Sequence, residues 1–167
     1  MKFRSLLRAD YNAQSIIDVP WDQLYAAGIR GLLFDVDNTI TAWHSMEVSR
    51  EVRDLFLRLK EQGWLICLVS NSYALRVRPI GEMLGVPSIH MAGKPRSRSF
   101  HTACNWLKLH PHQVAMVGDQ LLTDMLGANR IGLTTVLVNK VDRKESWFTA
   151  NINRRIEGFL KRRANKS

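Results

Sequence analysis

Two pairs of carboxylates stand where chemistry on a phosphate or with a metal would need them. Asp35 and Asp37 follow the apolar run 29–34 with one residue between them, and Asp119 and Asp124 follow the apolar run 114–117. Gathering four carboxylates is costly unless a cation or a protonated partner relieves their charge. Such a hard, oxygen-rich set suits Mg²⁺. We therefore expect a magnesium centre here rather than a structural cluster.

Three further polar residues could bind a phosphate beside these carboxylates. Ser70 and Asn71 follow the apolar run 64–69 and offer hydroxyl, amide and backbone N–H donors at an expected helix start. Lys94 follows the predicted strand 88–91 and supplies a fixed cation. A carboxylate nucleophile, a metal, neutral donors and a lysine together are what phosphoryl transfer through an aspartyl-phosphate requires.

The elements that must position these residues alternate along the chain. Segments of helical period separate the apolar runs, such as the one marked by Val52, Leu55 and Leu59 and ended by Gly63. A strand with one exposed face would alternate apolar and polar residues, and these runs are nearly all apolar. They therefore predict parallel strands covered on both faces. The pattern predicts an α/β fold whose ligand site lies at the carboxyl ends of the strands. The five predicted strands are 29–34, 64–69, 88–91, 114–117 and 134–138.

Basic charge is concentrated at the two ends of the chain. The 167 residues include 24 Lys and Arg against 15 Asp and Glu, a formal net charge of +9. Residues 140–167 hold nine basic and three acidic residues, and residues 1–10 hold three and one, so the middle is nearly neutral. We therefore expect the ends to meet an anionic partner, either a membrane surface or nucleic acid.

Length and composition fit one globular domain over 1–167, with a basic N-terminal segment (1–10) and a basic C-terminal helix (about 145–163). The apolar stripe of that helix either packs on the sheet, the commoner use of such a stripe, or lies on an anionic bilayer.

No apolar stretch approaches the ~20 residues of a membrane span, and no signal core is visible. We expect a cytoplasmic protein, or one peripheral on the inner membrane face. Cys67 and Cys104 are expected to be buried small hydrophobes.

Four motifs follow in order, with h for an apolar residue and x for any residue: hhhhDxDxT, hhhSN, K and GDxxxTD. They resemble those of the haloacid dehalogenase superfamily of phosphohydrolases, and the resemblance covers residues from about 10 to 160. More narrowly, GIRGLLFDVDNTITAW, AGKPRSRSF and VGDQLLTDMLGANRIGLTTVLV are similar to the YqeG-type branch of subfamily III A, which is related to phosphatidylglycerophosphate phosphatases. Asn38 stands where most of the superfamily has Gly, which suits that branch. The resemblance implies a Rossmann-like three-layer sandwich with a parallel five-stranded sheet and no cap domain.

The resemblance also implies a role for each motif residue. Asp35 would attack phosphorus, and Asp37 would protonate the leaving oxygen and then activate water. Mg²⁺ would be held by Asp35, the backbone carbonyl of Asp37 and Asp119, while Asp124 would bind either the metal or one of its ligands. The residues assigned to the transferred phosphoryl oxygens are Ser70, Asn71 and Lys94.

The gaps between the motifs are too short to hold a cap domain, so we expect an open site and a large substrate. Our leading hypothesis is a Mg²⁺-dependent phosphomonoesterase that removes the terminal phosphate of phosphatidylglycerophosphate at a membrane surface, a step of phospholipid biosynthesis. One alternative is a phosphatase for a nucleotide, a sugar phosphate or a nucleic acid 3′-phosphate. Another is an RNA- or ribosome-associated factor whose basic ends track backbone phosphates.

Two groups near the motifs are candidates for contacts with the substrate. Trp43 and His44, in the flap after Thr39, could contact the leaving group, unless Trp43 simply packs under the flap. Arg96 and Arg98 could grip a second phosphate or an anionic surface, or could lie in solvent. A second subunit could also cover the open site, and the sequence leaves the oligomeric state open.

Overall fold

The computed structural model describes residues 6–141. The expected basic C-terminal helix (about 145–163) lies outside the described residues, as do residues 1–5 of the basic N-terminal segment. The strands and helices, in chain order, are β1 (Tyr11–Ala13), α1 (Trp21–Ala26), β2 (Gly31–Phe34), α2 (Arg50–Glu61), β3 (Leu65–Val69), α3 (Ala74–Leu84), β4 (Ser88–Ile89), α4 (Ser97–Leu107), β5 (Val114–Gly118), α5 (Leu126–Ile131) and β6 (Thr134–Val138).

The strands form one sheet in the order β1-β6-β5-β2-β3-β4, and every neighbouring pair is parallel. The α/β class and the parallel sheet are confirmed, but the predicted count of five strands is wrong, because β1 adds a sixth. Strand β1 has three residues and pairs with β6 at one edge of the sheet, Tyr11 lying opposite Val136. Asn12 in its middle is exposed. A short edge strand of this kind needs no apolar run, so hydrophobicity does not reveal it.

Both faces of the sheet are covered, which explains why the central strands are apolar throughout. Successive residues of β2 point to opposite faces. Leu32 and Phe34 pack in one core cluster with Phe56 of α2, whereas Leu33 packs in the other with Phe100 of α4. The result is the expected three-layer arrangement of helices, sheet and helices. Cys67 and Cys104 are buried and unpaired, as predicted.

The segments between the motifs are short. Between Asp37 and Ser70 the chain forms a loop, α2 and β3, and between Ser70 and Lys94 it forms α3 and β4. Residues 6–141 therefore contain no cap domain. Nor is any helix in this part of the chain long and apolar enough to cross a membrane.

Candidate active site

The motif residues meet at the carboxyl edge of the sheet because β2 lies between β5 and β3. Phe34, the last residue of β2, is in register with Val117 of β5 and with Leu68 of β3. Asp35 follows directly, and its backbone N–H donates to the carbonyl of Val117 at 3.0 Å. The side chains that follow these three strands therefore stand beside one another, as the parallel order requires.

Four charged side chains form a cluster at this edge, which we call the acid cluster: Asp35, Asp119, Asp124 and Lys94. The ammonium of Lys94 lies 2.7 Å from Oδ1 of Asp35 and 2.6 Å from Oδ1 of Asp124. One carboxylate oxygen from each of the three aspartates lies within 4.8 Å of the others. Lys94, Asp35 and Asp124 are buried. With three carboxylates and one ammonium, the cluster has more negative than positive charge.

That surplus shifts the protonation of the cluster. Burial raises the pKa of Asp35 well above its usual range, and the charges of Asp124 and Asp119 add to the rise while Lys94 opposes it. Burial, followed by the charge of Asp124, raises the pKa of Asp119 to about 7. Burial alone would lower the pKa of Lys94, but the charges of Asp124 and Asp35 outweigh it, so the lysine stays charged.

The residues present fit a divalent cation. Oδ2 of Asp119 is buried and has no hydrogen-bond partner, which is costly for a carboxylate unless a cation binds it. The oxygens that converge here are the ligand type that hard cations take. A double positive charge would also balance the surplus of the acid cluster.

Close packing holds Asp124 in place. A π-helical turn, Leu121–Met125, follows β5 and leads directly into α5. Within it, the Asp124 carboxyl lies against the backbone of Gly118, where an added Cβ would come 2.6 Å from its Cγ. The backbone N–H of Gln120 donates to Oδ2 of Asp124 at 3.2 Å. The glycine of the GDxxxTD motif is therefore needed for space.

Asp37 is held by two residues that sequence reasoning missed, Ser72 and Arg76. The hydroxyl of Ser72 donates to Oδ2 of Asp37, and Nε of Arg76 donates to Oδ1 at 2.7 Å. The same guanidinium also donates to the carbonyl of Ser45 at 2.7 Å and to the hydroxyl of Thr41 at 3.2 Å. Arg76 thus ties the flap after β2 to Asp37.

A weak signal for these two residues was present in the sequence. Ser72 directly follows the SN motif, and Arg76 comes four residues later, in the first turn of α3. An arginine in a helix is usually solvent-exposed. The side chain of Arg76 is only 14% exposed, which the sequence could not reveal.

Asn71 and Ser70 connect the neighbouring motif loops. The Asn71 amide donates to the backbone carbonyl of Lys94 at 3.1 Å and accepts from its N–H at 2.8 Å. In this arrangement the amide fixes the backbone that carries the lysine. Ser70 is buried, and its hydroxyl accepts from the N–H of Ser72 at 3.1 Å.

A residue just before the flap needs an unusual backbone. Asn38 has a φ of 60°, in the left-handed region that Gly and Asn adopt most readily. This explains how Asn stands at a position where Gly is common. Farther along the flap, Trp43 is 41% exposed with its ring against that of His44, so it does not pack under the flap. Arg96 and Arg98 are exposed.

Comparisons with known proteins agree with this geometry. A family model described as HAD-hydrolase-like matches residues 91–152. The probable phosphatase YqeG of Bacillus subtilis is 33% identical over 157 residues, which are 92% of this chain and 91% of that protein. A chloroplastic phosphatidylglycerophosphate phosphatase 1 of Chlamydomonas reinhardtii is also 33% identical, over 93% of this chain but only 61% of its own length.

Solved structures share the fold. An uncharacterized protein from Corynebacterium glutamicum superposes with a TM-score of 0.55 at 24% identity, over 74% of this chain and 94% of its own. Another, from Listeria monocytogenes, gives 0.55 at 16% identity, over 69% of this chain and 84% of its own. Fold and site together define the class of haloacid dehalogenase-like hydrolases. The chain belongs to this family, within its YqeG-type branch, and is a phosphatase.

Proposed function

We propose that the protein is a Mg²⁺-dependent phosphomonoesterase that works through an aspartyl-phosphate and acts on phosphatidylglycerophosphate at a membrane surface. The observation that supports this best is the acid cluster. A buried lysine lies within hydrogen-bond distance of two carboxylates, and a third carboxylate has an unpartnered oxygen. A surplus of buried negative charge is costly in a merely structural role, but it suits a site that receives a cation and a phosphate.

In the first half of the reaction, a carboxylate oxygen of Asp35 forms a bond to phosphorus as the bond to the ester oxygen breaks. Asp37 donates a proton to that leaving oxygen. The bonds from Ser72 and Arg76 keep the Asp37 carboxyl in one orientation, so the proton is delivered from a fixed position. The product alcohol leaves, and Asp35 carries the phosphoryl group.

In the second half, Asp37 accepts a proton from water, whose oxygen attacks phosphorus. The bond between phosphorus and Asp35 breaks, and inorganic phosphate is released. In both halves the Lys94 ammonium neutralises charge on the phosphoryl oxygens, and the Ser70 hydroxyl donates a hydrogen bond to one of them. Asn71 supports this set through the backbone of Lys94.

Mg²⁺ would be held by Asp35, Asp119 and the backbone carbonyl of Asp37, with Asp124 binding either the metal or one of its ligands. When bound, it supplies positive charge that offsets the negative charge of the phosphoryl group and of the carboxylates. Asp124 also keeps a role of its own, because its Oδ1 accepts from the Lys94 ammonium.

The proposed substrate rests on two observations. A relative at 33% identity is named as a phosphatidylglycerophosphate phosphatase. The chain also has no cap domain within residues 6–141, so a head group that remains in a bilayer has room to reach the acid cluster. We propose a single capless domain, located in the cytoplasm and peripheral on the inner face of the membrane.

A phosphate-release screen tests this proposal. The substrates are phosphatidylglycerophosphate in vesicles, nucleotides, sugar phosphates, a nucleic acid 3′-phosphate and phosphopeptides, each with Mg²⁺ or a chelator. We expect release from the lipid, reversible loss on chelation, and a fall of at least about a thousandfold in Asp35→Asn with the fold intact. If phosphate is released only from a soluble ester, that ester is the substrate and the lipid proposal is wrong.

A fall of less than about tenfold in Asp35→Asn would refute the nucleophilic role of Asp35. No release from any substrate, together with RNA binding that survives Asp35→Asn, would favour the RNA-associated alternative.

A further inference from the structure

The rim of the proposed active site carries exposed apolar side chains on each of four loops. The flap after β2 and the loops after β3, β4 and β5 all contribute. Leu75 is 91% exposed and Met91 is 64% exposed, although a soluble surface normally leaves such side chains partly covered. We call the following residues the apolar rim: Trp43, Met46, Tyr73, Leu75, Met91 and Leu121.

Hydrogen bonds between the loops show that the rim surrounds one site. The N–H of Met91 donates to the carbonyl of Ser72 at 2.9 Å, which joins the loops after β4 and β3. Arg76, in the first turn of α3, reaches the carbonyl of Ser45 in the flap at 2.7 Å. Leu121 lies two residues beyond Asp119. The segments that carry the apolar side chains therefore stand around the acid cluster rather than on a remote face.

The charges in these loops favour an anionic surface. Arg96 and Arg98 are exposed beside the loop that carries Met91. In the four loops that carry the rim, Glu47 is the one exposed carboxylate, since the aspartates of these loops are buried or half-buried. The exposed Asp18 follows the edge strand β1, outside these loops. The N–H of Val141 donates to the carbonyl of Asn38 at 3.0 Å, so the described chain ends at this same edge. Residues 142–167, which follow, have eight basic and three acidic side chains.

We propose that the apolar rim docks on an anionic lipid bilayer and that the enzyme takes its substrate directly from that surface. Leucine and methionine side chains enter the boundary between head groups and acyl chains, while aromatic residues sit at the head-group level and arginines meet lipid phosphates. A nucleic acid fits less well, because only two rim residues are aromatic and aliphatic side chains do not stack on bases. This inference rests on the proposed function and adds to it the surface that binds the membrane.

Vesicle binding by the full chain tests the rim without any turnover. The vesicles contain phosphatidylglycerol and phosphatidylcholine but no phosphomonoester, and binding is measured by co-sedimentation. The rim variant combines Leu75→Ser with Met91→Ser. A matched control combines Leu57→Ser with Met83→Ser, which removes a leucine in α2 and a methionine in the last turn of α3, at the opposite end of that helix from Leu75. The two residues are 53% and 50% exposed.

We expect the vesicle dissociation constant of the rim variant to rise by about tenfold or more and that of the control to stay within about twofold of the unchanged protein. High salt weakens binding through the basic residues but spares the contribution of the rim, so the difference between the variants should persist in salt. Circular dichroism should show both variants folded, since all four side chains are exposed.

An equal loss in both variants, or no loss in the rim variant, would overturn the docking surface. Retention of an RNA homopolymer in place of vesicles, with loss in the rim variant, would overturn it in favour of nucleic acid. These outcomes are separate from the fate of the proposed function. A protein that binds vesicles through the rim but releases no phosphate from phosphatidylglycerophosphate refutes the function alone.

Discussion

Removing divalent metal should make the stability of the protein fall as pH rises towards neutrality. In the unfolded chain Asp119 loses its proton near pH 3.8, whereas burial and the charge of Asp124 raise its pKa to about 7 in the folded protein. Between these values the folded state binds more protons than the unfolded state, so stability decreases with rising pH. The contribution of the protonated carboxyl is complete below pH 3.8 and is lost as pH passes about 7.

The size of the effect follows from the shift. Three pKa units correspond to about 4 kcal/mol of unfolding free energy. For a chain of this size, that is a decrease of roughly 8 to 16 °C in Tm. The raised pKa of Asp35 acts in the same direction. Bound Mg²⁺ takes the place of the protons, so the decrease should disappear when the metal is present at millimolar concentration.

Thermal unfolding followed by circular dichroism measures this, with Asp119→Asn as the control. The variant lacks the titrating carboxyl, so the Tm of wild type minus that of Asp119→Asn isolates its contribution from those of other groups. We expect this difference to fall across about pH 4 to 7 without metal and to stay level with Mg²⁺. A difference that is independent of pH in metal-free buffer would refute the reasoning about the acid cluster.

Three substitutions test other parts of the site. Lys94→Met should lower the free energy of unfolding by about 3–5 kcal/mol at neutral pH in urea titration, because it leaves buried carboxylates without their cation. The control Lys108→Met, at an exposed position, should lower it little. Equal losses in the two variants would contradict the role of Lys94 as the cation of the acid cluster. Arg76→Gln should reduce kcat by up to about a hundredfold with little change in KM, because the proposed general acid Asp37 loses the partner that orients it. The exposed Arg78→Gln should leave kcat unchanged, and an unchanged kcat in Arg76→Gln would make Arg76 merely structural. Gly118→Ala should destabilise the fold by about 1–3 kcal/mol and weaken activation by Mg²⁺, since the added methyl overlaps the Asp124 carboxyl packed against Gly118. Activation by Mg²⁺ equal to that of the unchanged protein would show that the site accommodates the methyl.

The sequence predicted most of the sheet because the relevant signals are local. Apart from Arg30, runs such as 29–34 and 114–117 are apolar throughout, as a strand covered on both faces requires. Each run ends in a polar motif, and parallel strands bring such ends to one edge, so the sequence predicts that Asp35 and Asp119 lie at the same edge of the sheet. Strand β1 escaped detection for the opposite reason: an edge strand of three residues carries no apolar run.

The contacts of Arg76 show where such reasoning stops. Arg76 bonds to Asp37, 39 positions away along the chain, and to the flap carbonyl of Ser45, 31 positions away. Its helix has an ordinary pattern, and nothing in it distinguishes a buried arginine from a solvated one. The partners depend on how α3 lies against the flap, which depends on packing between elements.

The sequence alone determined the class of fold, the edge at which the motifs gather and the residue types that meet there. The reason is that the hydrophobic period of each segment is visible locally, and parallel strands bring all their carboxyl ends to one edge of the sheet. Only the tertiary structure decided that Lys94 lies between Asp35 and Asp124, that Asn71 bonds to the backbone of Lys94 and that an apolar rim surrounds the cluster. Distance, burial and charge balance arise when separate elements come together, and no local pattern contains them.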